Sequence, residues 1–291
     1  MPQIITNHRH DPLLRKAYYR FMDEVFSGVD FLRWFNHGHW NEAYAPHSIM
    51  DGDRMIANAS AMRMNVWVEN TLVPAVQIGA VGTVEDYRYQ GLSRLLMEHV
   101  LDKFAHQAEL IFLFANESVI DFYPRFGFQR AREVVFVATR DLPSPKYSAR
   151  KLHLANAADV AIARELIAER DDPTRLFGAS DFGHITWFYI LNGFHQRLHY
   201  LEDEQILFIL SENDGVVHIW DAIARAPFDM SEILPRLLPC EQPQSVHYYF
   251  SPDRLPFAYD SVAEPEDSYL YVRGRFPLEN QRFKFPFTAQ T

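Results

Sequence analysis

The sequence predicts an α/β (α+β) fold built as two tandem units, each a mixed sheet flanked by helices, and three observations carry that prediction. Apolar residues repeat with strand-like and helix-like spacing in alternation, the pattern of helices lying on the faces of a mixed sheet. The segment DLPSPKYSARK, residues 141–151, interrupts the alternation with two prolines among polar residues. The alternation then begins again. With 291 residues, 48% of them apolar, the chain has material for two cores. We therefore place one domain over residues 1–143 and a second over 150–291.

In order, Asp11-Pro12 opens a helix whose Leu13, Leu14, Ala17, Tyr18, Phe21, Val25 and Phe26 recur at three-to-four spacing. Residues 54–68 and 72–83 read as strands joined in a hairpin at Glu69-Asn70. LSRLLMEHVLDKFA, residues 92–105, is an amphipathic helix, and LIFLFA, 110–115, is an apolar run of buried-strand length. A helix over 119–125 and a strand over 134–139 complete the first unit. In the second, helices are expected over 155–169, 182–192 and 230–238. Strands are expected within 197–223, around a turn at residues 212–215, and over 245–250, 268–272 and 282–287.

A net charge of −10 argues against a phosphate-tracking nucleic-acid surface. No stretch reaches the roughly 18 apolar residues needed to cross a bilayer. The first twenty residues lack the basic start, apolar run and small-residue cleavage site of a secretory signal, and the single cysteine, Cys240, excludes an internal disulfide. A cytoplasmic protein with no membrane or nucleic-acid partner is expected.

The strongest chemical signal runs from Val81 to Ser93, VGTVEDYRYQGLS, ending a strand and opening a helix. Unpaired N–H groups at a helix N-terminus bind phosphate oxygens without many lysines, and Gly91 lets the backbone approach a ligand. Arg88-x-x-Gly91-x-Ser93 resembles the Q/R-x-x-G-x-G/A pyrophosphate signature of the GNAT acetyltransferase superfamily, with Ser93 in place of the usual Gly or Ala. Asn116, Tyr123 and Gly127-Phe128 fall in the spacing of that family's second motif.

The resemblance implies two GNAT-like domains, the second degenerate, and acetyl-CoA as co-substrate. Its pyrophosphate would sit on the amides from about Tyr89 through Gln90, Gly91, Leu92 and Ser93 to Arg94, with Arg88, the first residue of the signature, also at the cofactor. Its pantetheine arm would pair with Val81 and Thr83 like an added strand and touch Asn116, a residue equally suited to capping the next helix. Tyr123 is implied as general acid toward the departing thiolate; as a residue between Phe122 and Phe126 it also reads as a core aromatic.

The reaction implied is acetyl transfer to a primary amine by direct attack. The rival reading is a non-catalytic acyl-CoA sensor. Many GNAT enzymes carry a Glu where this chain has Gln77, which accepts no proton but could hold a water. Glu117, His37, His39 and His47 are alternative bases, each equally a structural group. His37-x-His39 has metal-ligand spacing without a matching pair, so no metal is expected. Phe31, Trp34, Phe35, Trp40 and Tyr44 lie where the family's acceptor-side helices sit, and are equally a core cluster. The tandem arrangement is similar to the first two domains of the Eis-like acetyltransferases, whose further domain supplies a terminal carboxylate as base. That role could fall to Thr291 here.

Overall fold

The computed structural model describes residues 3–6, 8–264 and 268–291. After β1 (Ile4–Ile5), α1 (Pro12–Val25) starts where the Asp11 carboxylate accepts from the amides of Leu13 at 2.8 Å and Leu14 at 3.2 Å, with Pro12 losing nothing by lacking an N–H. It buries Ala17, Tyr18, Phe21 and Met22. Then follow α2 (Phe31–Asn36), β2 (Tyr44–Asp51), β3 (Arg54–Val68) and β4 (Thr71–Thr83). The β3–β4 turn has Glu69 and Asn70 at φ 48° and 66°, the left-handed pair that matches strand twist in a two-residue hairpin. Next come α3 (Leu92–Phe104), β5 (Leu110–Ala115), β6 (Gln129–Arg130) and β7 (Val135–Ala138).

The remainder comprises β8 (Arg150–Lys151), α4 (Ala157–Ala168), β9 (Phe177–Ser180), α5 (Gly183–Tyr189), β10 (Leu198–Leu201), β11 (Ile206–Asn213), β12 (Val216–Ile223), α6 (Met230–Leu237), β13 (Ser245–Tyr248), β14 (Ser261–Ala263) and β15 (Tyr269–Gly274). One sheet has the order β1-β2-β3-β4-β5-β15-β6 with β9 also on β3; the other has the order β14-β7-β13-β12-β11-β10-β8. Each contains one parallel pair, β4 with β5 and β12 with β13, connected by α3 and α6 respectively. The two mixed α/β sheets are thus variations on one strand–helix–strand unit.

The sheets do not divide at residues 141–151. β7 lies before that segment yet pairs in the second sheet, and β15 lies far beyond it yet seals the open edge of β5 in the first. β9 extends β3 in the same sense. One apolar core accordingly joins Phe112 of β5 to Phe177 of β9 and to Phe285, with ring centroids 5.7 and 5.2 Å from Phe112.

Two expected elements differ. Residues 119–125 form no α-helix but two short 3₁₀ turns, Glu117–Val119 and Tyr123–Phe126, because Pro124 has no N–H for a continuous helical ladder. Residues 282–287 form no strand: the Lys284 amide donates to Ser251 Oγ at 2.8 Å and the Phe285 amide to Glu133 Oε1 at 3.0 Å, so side chains take the place of a neighbouring strand. No helix among the described residues is long and apolar enough to cross a membrane.

Candidate active site

β4 and β5 pair from Ala75↔Leu110 to Ile78↔Leu113, and there the ladder stops, although β4 runs on to Thr83 and β5 to Ala115. The cause is a bulge. The β3–β4 register shifts between Asn58 and Ser60, Ala80 takes φ 49°, and the buried Asn58 amide fixes the distortion by donating to the Ala80 carbonyl at 2.8 Å and Ser60 Oγ at 3.0 Å. A cavity of about 1000 Å³ opens beside the end of β4 and is lined there by Val81, Gly82 and Thr83.

The turn from Arg88 to Ser93 forms one wall. Gly91 at φ 79° is the N-cap of α3, a conformation that favours glycine, and no side chain caps the helix. Its first-turn amides therefore await an acceptor. Thr83 Oγ1 and Ser93 Oγ lie 2.8 Å apart, so the serine that departs from the usual Gly or Ala ties the helix start to β4. Arg88, Tyr89, Gly91, Leu92, Ser93 and Arg94 all line the cavity. Gln90 turns away, its Nε2 3.5 Å from the Asp86 carbonyl.

The second motif supplies the opposite wall through Tyr123 and its neighbours. Tyr123 is 6% exposed and packs against Phe122, Phe128 and Tyr271, with ring centroids 5.2, 6.2 and 5.9 Å away, yet it lines the cavity. The core and cavity readings of this residue are both satisfied. Burial pushes its phenol up to about 12, so it stays protonated at neutral pH. Asn116 does not line the cavity; it is exposed, and its Oδ1 accepts from Ser118 Oγ at 2.7 Å. Arg125, inside the second motif, does line it, a residue the sequence reading passed over.

The alternative bases lie outside this cavity. Gln77 is fully buried, and both ends of its amide are engaged by the last residues of the chain: Nε2 donates to the Ala289 carbonyl at 3.0 Å, and Oε1 accepts from the Thr291 amide. It holds that segment in place of a water. His39 stacks on Trp187 at 5.0 Å, and burial lowers it to about 4. His47 is buried with Nδ1 3.1 Å from His99 Nε2, and burial lowers it to about 3. His37 and Glu117 are exposed. Among the described residues no group of three or more His, Cys, Asp or Glu is placed to hold a metal ion.

Of the five aromatic residues expected beside the acceptor four are core, and Phe35, half-buried, packs against Trp40. Phe31, Trp34, Trp40 and Tyr44 are buried in mutual contact. Their polar ends are met inside the protein, Trp34 Nε1 by the His184 carbonyl at 2.7 Å and Trp40 Nε1 by the Tyr44 carbonyl at 3.1 Å. The equivalent corner of the second sheet is closed to anions: the Asp229 carboxylate caps α6 by accepting from the Ser231 amide at 2.8 Å, and Glu232 follows in the first turn.

Residues 15–131 match the family model of the acetyltransferase (GNAT) domain. This segment is a GNAT acetyltransferase domain. No curated protein matches the chain. Its fold is similar to a conserved protein of unknown function, a probable N-acyltransferase, from Enterococcus faecalis V583, at TM-score 0.60 and 15% identity over 93% of this chain and 72% of that one. A GCN5-related N-acetyltransferase from Kribbella flavida gives TM-score 0.56 and 15% identity over 93% and 71%. Eis1 from Mycobacterium abscessus gives 0.56 and 13% over 92% and 73%. At 13–15% identity these likenesses concern the fold alone, and they run across both sheets. The GNAT domain over residues 15–131 supports N-acetyltransferase activity in general.

Proposed function

We propose that the protein transfers an acetyl group from acetyl-CoA to a primary amine by direct attack. The observation that carries the reading is that the start of α3, which has no side-chain cap, and Tyr123 both face one cavity at the end of β4. Pyrophosphate would accept from the amides at the head of α3, and the unpaired edge of β4 at Val81 and Thr83 would hydrogen-bond the pantetheine arm. Both ligand groups are amide-bonded, which explains how a chain of net charge −10 can hold an anionic donor.

The new bond joins the amine nitrogen to the carbonyl carbon, and the carbon–sulfur bond breaks. An amine of pKa near 10.4 must first lose a proton, a cost of roughly 4.6 kcal/mol at pH 7. The backbone oxygen of Thr291, against Gly79 just below the divergence, is the acceptor we assign to orient that amine. A phenol at about 12 gives up its proton reluctantly: full transfer to a thiolate of pKa near 8.5 is uphill by roughly 5 kcal/mol. Tyr123 therefore acts as a hydrogen-bond donor to the developing thiolate, and the proton lost by the amine restores the thiol.

The sensor reading is favoured by one observation, Gln77 locked where a carboxylate would serve. Calorimetry with acetyl-CoA, then release of free thiol over a panel of amines, separates the two. Acceptor-dependent thiol release supports the enzyme; tight binding without release supports the sensor. A cytoplasmic location goes with either reading.

A further inference from the structure

The second sheet repeats the split of the first, and the segment running up to Thr291 occupies it. β12 pairs in parallel with β13 from Val216↔Ser245 to Ile219↔Tyr248, and there the ladder stops, although β12 runs on to Ile223. The cause is again a bulge. The β11–β12 register shifts between Ile209 and Leu210, leaving Trp220 as the extra residue. Into this opening the Phe287 amide donates to the Tyr249 carbonyl at 3.2 Å, and the Phe287 ring packs on Trp220 with centroids 4.9 Å apart.

The bulge also decides where Asp221 faces. Val217, Ile219 and Ala222 belong to the core of the second sheet, whereas Ile223 belongs to the core shared with the first, so the alternation puts Asp221 on the shared side. There it is 1% exposed and its carboxylate is fully used. Oδ1 accepts from Arg170 Nη2 at 2.7 Å and from the Ala222 amide at 2.8 Å; Oδ2 accepts from Arg170 Nη1 at 2.9 Å and from the Thr288 hydroxyl. Four acceptor positions filled hold the group in one orientation. Just beyond Thr288, Gln77 of the first sheet grips the same segment at Ala289 and Thr291.

We infer that Asp221 is a positioning residue for the reaction: through Thr288 it fixes the Thr291 backbone oxygen against Gly79, so that the split strands of the second unit serve the chemistry of the first. A buried ion pair is a poor source of net stability beside apolar packing. What the Arg170–Asp221 pair supplies is a fixed direction for the Thr288 hydroxyl. The inference rests on the reading that the Thr291 oxygen orients the amine.

Removing Asp221 would strand the Arg170 charge in the core and risk unfolding, so the test is made at Thr288 in the full chain. Turnover is read as amine-dependent thiol release per acetyl-CoA site counted by calorimetry. Thr288→Val, which loses the hydroxyl and keeps the volume, should lower the turnover number roughly tenfold while acetyl-CoA affinity stays within about twofold. Thr288→Ser, which keeps the hydroxyl, should restore most of it. In a Gly79→Ala background, where Thr291 should already be displaced, Thr288→Val should cost little more; a merely structural contribution would lower both backgrounds alike. Losses that multiply, undiminished turnover in Thr288→Val, or a serine variant as impaired as the valine one overturns the inference and leaves the Thr291 reading standing. Undiminished turnover in Gly79→Ala, or no thiol release by the unaltered protein with any amine, overturns both.

Discussion

The backbone of Thr291 lies so close to Gly79 that a Cβ on that glycine would stand 2.8 Å from the Thr291 oxygen. The neighbour is main chain held by Gln77, so it cannot swing aside as a side-chain tip would. Gly79→Ala should therefore displace the last residues and cost about 1–3 kcal/mol in urea unfolding. Thiol release should fall at least tenfold while acetyl-CoA binding, measured by calorimetry, changes little. Unchanged turnover would remove Thr291 from the amine side of the reaction.

Tyr123 gives a prediction in pH. Because burial holds its phenol up at about 12, its donor form persists through the alkaline range. The turnover number should show no loss attributable to Tyr123 between pH 7 and 10, and Tyr123→Phe should lower it by about tenfold to a hundredfold at every pH in that window. A basic limb near pH 9 that vanishes in the phenylalanine variant would contradict the raised phenol.

Glu133 and Lys284 form an ion pair at 2.8 Å with side chains only 1% and 2% exposed. Removing one partner strands the other charge in the core. Lys284→Met should destabilise by about 3–5 kcal/mol in urea unfolding. Adding Glu133→Gln should recover part of that loss, because glutamine can still accept from the Phe285 amide.

Acid should weaken the protein through His8 and His47, which burial lowers to about 4 and about 3. Above pH 6.5 both are neutral in folded and unfolded chains, and their contribution is constant. Below it the unfolded chain takes up protons that the folded one refuses, so stability drops as pH falls, by up to about 1.4 kcal/mol per unit for each histidine, until their folded values are reached. Urea midpoints between pH 7 and 4 measure the slope. His47→Gln should flatten it.

Much of the first unit was legible because local signals agreed. Asp11-Pro12 marks the start of α1, Glu69-Asn70 the hairpin, and six apolar residues in a row the β5 strand. The partners of strands were not legible. Val135–Ala138 and Tyr269–Gly274 alternate as any strand does, and nothing in that pattern names the sheet each joins. The aromatic run from Phe31 to Tyr44 has the same spacing whether it walls a cavity or fills a core; the carbonyls that meet its indole N–H groups decide, and one of them, of His184, lies 150 positions away. Gln77 was singled out for the carboxylate it lacks, whereas its contact with Ala289 spans 212 positions.

The placement of β15 bears on how the chain is made. β5 must wait for a neighbour about 150 residues downstream, since Ala115 pairs with Tyr269. At a synthesis rate of about 5–20 residues per second, that edge stays open on the ribosome for roughly 8–30 s after β5 emerges. During that interval its apolar face and unpaired backbone are a template for the wrong strand, and the yield of folded protein should depend on what shields β5 until translation reaches residue 274.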